Sequence, residues 1–432
     1  MRRTAAFVLA AGGIAVFAAA AFSACSGKAE GNATIWTDVP ELAIAVELFD
    51  AREGPAKATL AWKRDPAEAL LAVKAKNGAA ALPALIIGHR LAGAGLRDRL
   101  YSLDGLFKRN GISGSFYPEL LEGGVIEGRR VLLPVSFNLP AIAFLRSSPA
   151  SGDGFTLSLA DMAAASAAYG KPGIGADARM GFSPRWNTGF LVAALDSGGA
   201  RFGMRRAAAS RAPELAWDAS GLASALNGLR AWTARVNGSS EREDDFQFKY
   251  LFSPPYRWLK DGRTLYAYMD SSELFLLSEE KRAELDFRWF AADGRVPVSD
   301  GSVYAGLVRG ASGHAAAEAF LEWLLTPEAQ RAILERSRDT RAADYGFGVI
   351  GGFSSIRSVN EGIFPGFYPD LVGHAPPEEK LTAPSPLPGD WPALQAGVIA
   401  PWALEAMAGA AGASGSPLEA RIADYRARGS RQ

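Results

Sequence analysis

Hydrophobic positions along this chain follow two periods, one of strands and one of helices. Ala33-Thr34-Ile35-Trp36 predicts a short strand, and Leu42, Val46 and Phe49 then recur at helical spacing over 40–50. Asp38 stands where it can cap that helix, with Glu41 three residues on as its capping-box partner. Residues 57–62 predict a second strand, and Pro66 opens a helix carrying Leu70, Leu71 and Val73. The apolar run 82–88 ends in glycine, as expected for a parallel strand buried on both faces. Two more strands are predicted at 130–135 and 141–145. Strands alternating with helices imply right-handed βαβ units and an α/β layer fold.

Beyond a loop at 147–154 the pattern changes, and 161–236 reads as mostly helical. Leu222, Leu226, Leu229, Trp232 and Val236 form one apolar stripe, which assigns Trp232 to the core. Strands are predicted at 266–269 and 287–290, and a strong helix at 315–325. Thr326-Pro327-Glu328 starts the next helix, with Thr326 as cap and proline in its first turn. Residues 375–392 are rich in proline and read as a long surface loop before an alanine-rich helical region at 392–427.

The amino terminus follows a different rule. Arg2 and Arg3 precede an apolar stretch from Ala5 to Phe22, and small residues follow before Cys25. That is the pattern of a secretory signal. A permanent anchor helix is the alternative, but a run of about 18 residues is at the short end for a span. Phe22-Ser23-Ala24-Cys25 resembles a lipobox, the site where a bacterial lipoprotein is cut and lipidated on its cysteine. The expectation is a signal peptide at 1–24 and a lipid anchor and tether at 25–32. Palmitoyl-type chains on Cys25 would hold an extracytoplasmic protein at a membrane surface.

Composition narrows the function. The chain has 432 residues, 48% of them apolar, enough for two or three domain-sized cores. Its 46 basic residues balance 46 acidic ones, which argues against nucleic acid as a partner. A single cysteine excludes a disulfide framework and any cysteine-based zinc cluster. His89, His314 and His374 are far apart and lack metal-ligand spacing. No nucleophile elbow or phosphate-cradling glycine loop is present, and Asp244-Asp245 belong to a charge run that reads as a solvated face. Nothing in the pattern favours catalysis, so no catalytic residue, metal or cofactor is expected.

Several segments, taken in order, carry a resemblance. They are Ala33 to Asp38 with the helix after it; Leu82-Pro83-Ala84-Leu85-Ile86-Ile87-Gly88; Leu133 to Pro140; Trp217-Asp218 with the helix behind it; Asp261 to Met269; and Ala316 to Gln330. Together they resemble the family 1 extracellular solute-binding proteins of ABC transporters, whose relatives bind maltose and other sugars. Ala84 stands where that family usually has aspartate, and no Gly-x-Trp follows Asp270. The resemblance implies a periplasmic-binding-protein-like α/β fold, with two lobes joined by a hinge and a ligand cleft between them. Lobe one would take 33–142 plus 297–345, and lobe two 143–296 plus 346–432. It also implies a monomer that captures a small solute, expected to be a carbohydrate, and docks on a membrane permease. A surface lipoprotein acting as sensor or adhesin, and a secreted carbohydrate-active enzyme, stay open as other readings.

Ligands of open α/β sheets bind at the carboxyl ends of strands. By that rule the candidates in the first lobe are Trp36, Asp38, His89, Ser136 and Asn138. Ser271 follows the 266–269 strand, beside Asp270 and Glu273. Trp186 and Asn187 lie in a polar and aromatic loop, and Phe353 and Trp391 lie in the last third, where sugar-binding relatives place aromatics. Aromatic faces can stack on a sugar's C–H faces, while carboxylate and amide groups pair with its hydroxyls.

Overall fold

The computed structural model describes residues 31–73, 82–109, 115–148, 154–170, 178–206, 213–408 and 417–429. The expected signal peptide at 1–24 and Cys25 lie outside the described residues. Among the described residues, no helix is long and apolar enough to cross a membrane.

Two sheets organise the molecule, one of six strands and one of four. The larger has the order Phe353–Ser354, Leu133–Phe137, Val303–Leu307, Leu85–His89, Asn32–Thr37, Lys57–Trp62. Asn32–Thr37 runs parallel to both Lys57–Trp62 and Leu85–His89. Val303–Leu307 inserts antiparallel between Leu85–His89 and Leu133–Phe137. Every residue of Leu133–Phe137 and of Val303–Leu307 is buried, which explains why these strands read as unbroken apolar runs. Helices Leu42–Asp50, His314–Leu324 and Pro327–Asp339 supply the apolar side chains that cover this sheet. Asp65 caps Pro66–Ala72, and Thr326 caps Pro327–Asp339, the second as the sequence predicts.

The smaller sheet has the order Ala267–Asp270, Pro140–Leu145, Leu285–Ala291, Thr156–Ser158. Its central strand feeds two cores by strict alternation. Ala141 and Ala143 face one core, and Ile142 and Phe144 face the other, with Phe190, Leu226 and Trp232. The apolar stripe of Ala219–Trp232 is buried there as expected. The chain crosses between the sheets at Asn138-Leu139 and returns through residues 292–302.

Four features depart from the sequence reading. Asp38 does not cap the first helix; its carboxylate turns instead to His89. The mostly helical stretch 161–236 contains a hairpin, Gly203–Arg206 against Pro213–Ala216. Phe353–Ser354 pairs with Leu133–Phe137 of the larger sheet, although the sequence reading grouped 346–432 with the other lobe. The 375–392 segment does run without long elements, but it is fixed at Leu381–Thr382, which pairs with Val296–Pro297 of the return crossing.

Candidate functional site

A cavity of about 960 Å³ opens between the two sheets. Its floor is the crossing itself. Asn138 Nδ2 donates to the Gly351 carbonyl (2.9 Å), and Ser271 Oγ donates to Asn138 Oδ1 (2.7 Å). The same Ser271 oxygen accepts from the Leu139 amide at 3.1 Å, and Ser136 Oγ donates to the Ile350 carbonyl at 2.6 Å. Ser136 and Ser271 are fully buried, so their hydroxyls hold the crossing strands together and do not face a ligand. Asn138 serves both roles, since it also lines the cavity.

On the side of the larger sheet, His89 lines the cavity and Asp38 stands behind it. Asp38 accepts from the His89 amide (3.1 Å), and its other oxygen lies 3.2 Å from His89 Nδ1. That leaves Nε2 as the ring nitrogen free to address the cleft. Gly88 makes this approach possible, because a Cβ there would stand 2.6 Å from Asp38 Oδ1. On the side of the smaller sheet, Asn187 lines the cavity and caps helix Thr188–Leu195 by accepting from the Phe190 amide at 2.9 Å. Trp391 closes one wall, its Nε1 donating to Asp300 and its ring 5.5 Å from that of Phe202.

Four of the ten residues predicted from sequence therefore meet in one place: His89, Asn138, Asn187 and Trp391. Asp38 supports His89, and Ser136 and Ser271 support the crossing. The other three lie elsewhere. Trp36 points to the opposite face of its strand, where Lys63 Nζ sits 4.6 Å from the ring centre. Trp186 stacks on Phe246 (4.8 Å) and meets Trp258 edge-on (5.7 Å) in a separate aromatic cluster. Phe353 is fully buried among Phe137, Phe347, Phe364 and Trp289 beneath the crossing. Each is an aromatic residue whose ring found a core partner, an outcome that the sequence pattern alone does not separate from a ligand platform.

The strand-end rule placed Asp270 and Glu273 at the cleft, whereas sequence reasoning left out Tyr268 and the proline-rich wall. Tyr268 and Asp270 come from the end of the Ala267–Asp270 strand, and Glu273 from the helix that follows. Asp270 receives hydrogen bonds from Ser299 Oγ (2.6 Å) and the Ser272 amide (3.2 Å), yet burial pushes its carboxyl up to about 6. The rule that ligands gather at strand ends pointed to this stretch. Thr382, Pro384, Ser385 and Leu387 also line the cavity, so the proline-rich segment forms part of the wall.

The Asp270 shift carries a stability consequence. Its folded-state pKa lies above the ordinary value of 3.8, so the native state binds more protons than the unfolded chain between about pH 4 and about pH 6. Stability from this group is present below that window and is lost as the pH rises through it. Asp270→Asn keeps an acceptor for the Ser272 amide and removes the buried charge. The variant is expected to melt above the wild type at pH 7.5, and thermal melts should show that gain shrinking towards pH 4.

The fold is that of two-lobed solute-binding proteins, with the cleft between the lobes. Solved structures with this fold include the sugar-binding protein MalE from Xanthomonas citri, at a TM-score of 0.62 and 14% identity over 92% of this chain and 96% of that one. The maltose-binding protein MalE from Listeria monocytogenes, in complex with maltose, gives 0.59 and 10% identity over 92% and 96%. The cyclic alpha-maltosyl-1,6-maltose binding protein from Arthrobacter globiformis gives 0.58 and 16% identity over 88% and 94%. No family model and no curated protein matches the sequence.

Proposed function

We propose that this chain is the extracytoplasmic solute-binding lipoprotein of an ABC importer, capturing a carbohydrate by hinge closure and delivering it to a membrane permease. The observation that carries the reading is a large cavity walled by both sheets and floored by the strands that join them. Polar groups from both sides, His89 and Asn138 against Asn187 and Thr188, offer donors and acceptors to sugar hydroxyls. A ligand that touches both walls binds the closed form better than the open one and so shifts the population towards closure.

In this reading the lobes follow the sequence division, with 346–371 moved to the first lobe alongside the Phe353–Ser354 strand. Cys25 bears the lipid, and the protein acts as a monomer without catalysis. The neighbours in fold are binding proteins, which supports the non-catalytic reading.

The test is a thermal-shift screen of residues 26–432 against a saccharide panel, followed by small-angle scattering with any hit. A saccharide at about 100 times its dissociation constant should add roughly 2.7 kcal/mol, raise the midpoint by several degrees and shrink the radius of gyration. Folded, ligand-free protein that responds to no saccharide would overturn the reading, as would a panel member that is turned over.

A further inference from the structure

The cleft is acidic in a chain whose formal net charge is zero. Glu41, Asp196, Asp270, Glu273, Asp293 and Asp300 line it, against the arginines Arg201 and Arg295. Of the two, Arg295 is already engaged with a carboxylate outside the cleft. Arg295 Nη2 lies 3.5 Å from Glu119 Oε1 and also donates to the Leu381 carbonyl. Arg201 acts electrostatically on Asp196 and on Asp218.

Three of the remaining carboxylates, Asp270, Glu273 and Asp300, line the same cavity as Tyr268, and their charge adds to burial in keeping its hydroxyl protonated. The hydrogen-bond donors on these three groups are neutral. They are Ser299 and Ser272 on Asp270, the Asp270 amide on Glu273, and the Trp391 indole on Asp300. Among the described residues, no lysine or arginine forms an ion pair with any of them. Like charges gathered in a walled cleft focus a negative potential there, and a neutral ligand would leave it uncompensated.

We propose that the solute taken by this cleft is a cationic saccharide, with a free ammonium group seated among Asp270, Glu273 and Asp300. This deepens the carbohydrate reading above and rests on it. An ammonium supplies three donors to carboxylate oxygens in charge-assisted hydrogen bonds. The amide and hydroxyl groups of Asn138, Asn187, Thr188 and Ser272 remain for the sugar's neutral hydroxyls.

The experiment is isothermal titration of the soluble chain at about pH 6.5 with four probes. These are a glucosamine trimer, its fully N-acetylated counterpart, maltotriose and spermidine. The glucosamine trimer should bind at least about tenfold tighter than the acetylated trimer or maltotriose, and its affinity should fall several-fold between about 50 and about 500 mM NaCl. The paired substitution Glu273→Gln and Asp300→Asn keeps both acceptors and should abolish most of that preference. Tighter binding of either neutral saccharide would overturn the inference while leaving the carbohydrate reading in place. Tight binding of spermidine alone would overturn both the saccharide assignment and that reading. No binding by any probe, from folded protein free of carried-over ligand, would do the same.

Discussion

Replacing Glu243 by alanine is expected to cost about 3–5 kcal/mol of folding stability, because it leaves a buried arginine without its counter-charge. The Glu243 side chain is fully buried, and that of Arg185 is 4% exposed. Arg185 Nη1 donates to Glu243 Oε2 at 3.2 Å, and Thr233 donates to the same oxygen. Asn237 Nδ2 donates to Glu243 Oε1 at 2.6 Å and to the Phe182 carbonyl at 3.0 Å. Burial raises the glutamate's pKa while these donors pull it back down, the signature of a charge kept only by its partners. Asp244 also reaches Arg185, but it is 59% exposed and contributes less.

The network bears on function through position. Arg185 and Trp186 directly precede Asn187, and Trp186 Nε1 donates to the Glu243 carbonyl at 3.0 Å. Losing Glu243 should therefore loosen the Asn187 wall of the cleft as well as the core behind it. Urea unfolding should show a lower midpoint with little change in slope. Glu243→Gln keeps an acceptor for Asn237 and should lose less. Equal losses in the two variants would mean that packing, and not the charge pair, sets the effect.

Glu243 also marks a limit of sequence reading. It sits in the run Glu241 to Asp245, which has the composition of a solvated face, yet one of its carboxylates is buried by a partner from another element. The parallel strands were legible because burial on both faces leaves an apolar run, and the helices because their stripes and caps are local. Of the four cavity residues, His89 and Asn138 were legible by the strand-end rule, Asn187 from its polar and aromatic loop, and Trp391 by aromatic type. Trp36 obeys the same rule but alternates to the other side of its sheet, a matter of one residue in register. Phe353 and Trp186 carry no local signal that tells a core ring from a cleft ring. The proline-rich segment has no periodicity at all, and the residues it touches, Gly93, Gly123 and Tyr304, are far away in sequence.

That segment supports the second large effect, on ligand affinity. It is held at one end by Leu381–Thr382 on the return crossing and at the other by Trp391, buried against Asp300. Between these points it leans on the lobe that carries Leu85–His89. A Cβ on Gly93 would fall 1.7 Å from the Leu387 carbonyl oxygen and 2.9 Å from Met204 Sδ. The carbonyl is backbone fixed at both ends, so it cannot rotate away as a side chain would, and the lobes themselves must separate. Gly93→Ala is therefore expected to disfavour the closed arrangement by about 1–3 kcal/mol. In the hinge-closure reading proposed above ligand is gripped only when the lobes meet, so the cost should appear as about 5-fold to about 150-fold weaker binding. If hinge opening parts Gly93 from Leu387, as the proposed function implies, the melting temperature of the ligand-free protein should move little. Titration calorimetry with the saccharide found by the screen, paired with melts of the free protein, separates these outcomes. Unchanged affinity would show that the segment does not meet Gly93 in the bound state, and an equal loss in the free protein's stability would place the contact in both states.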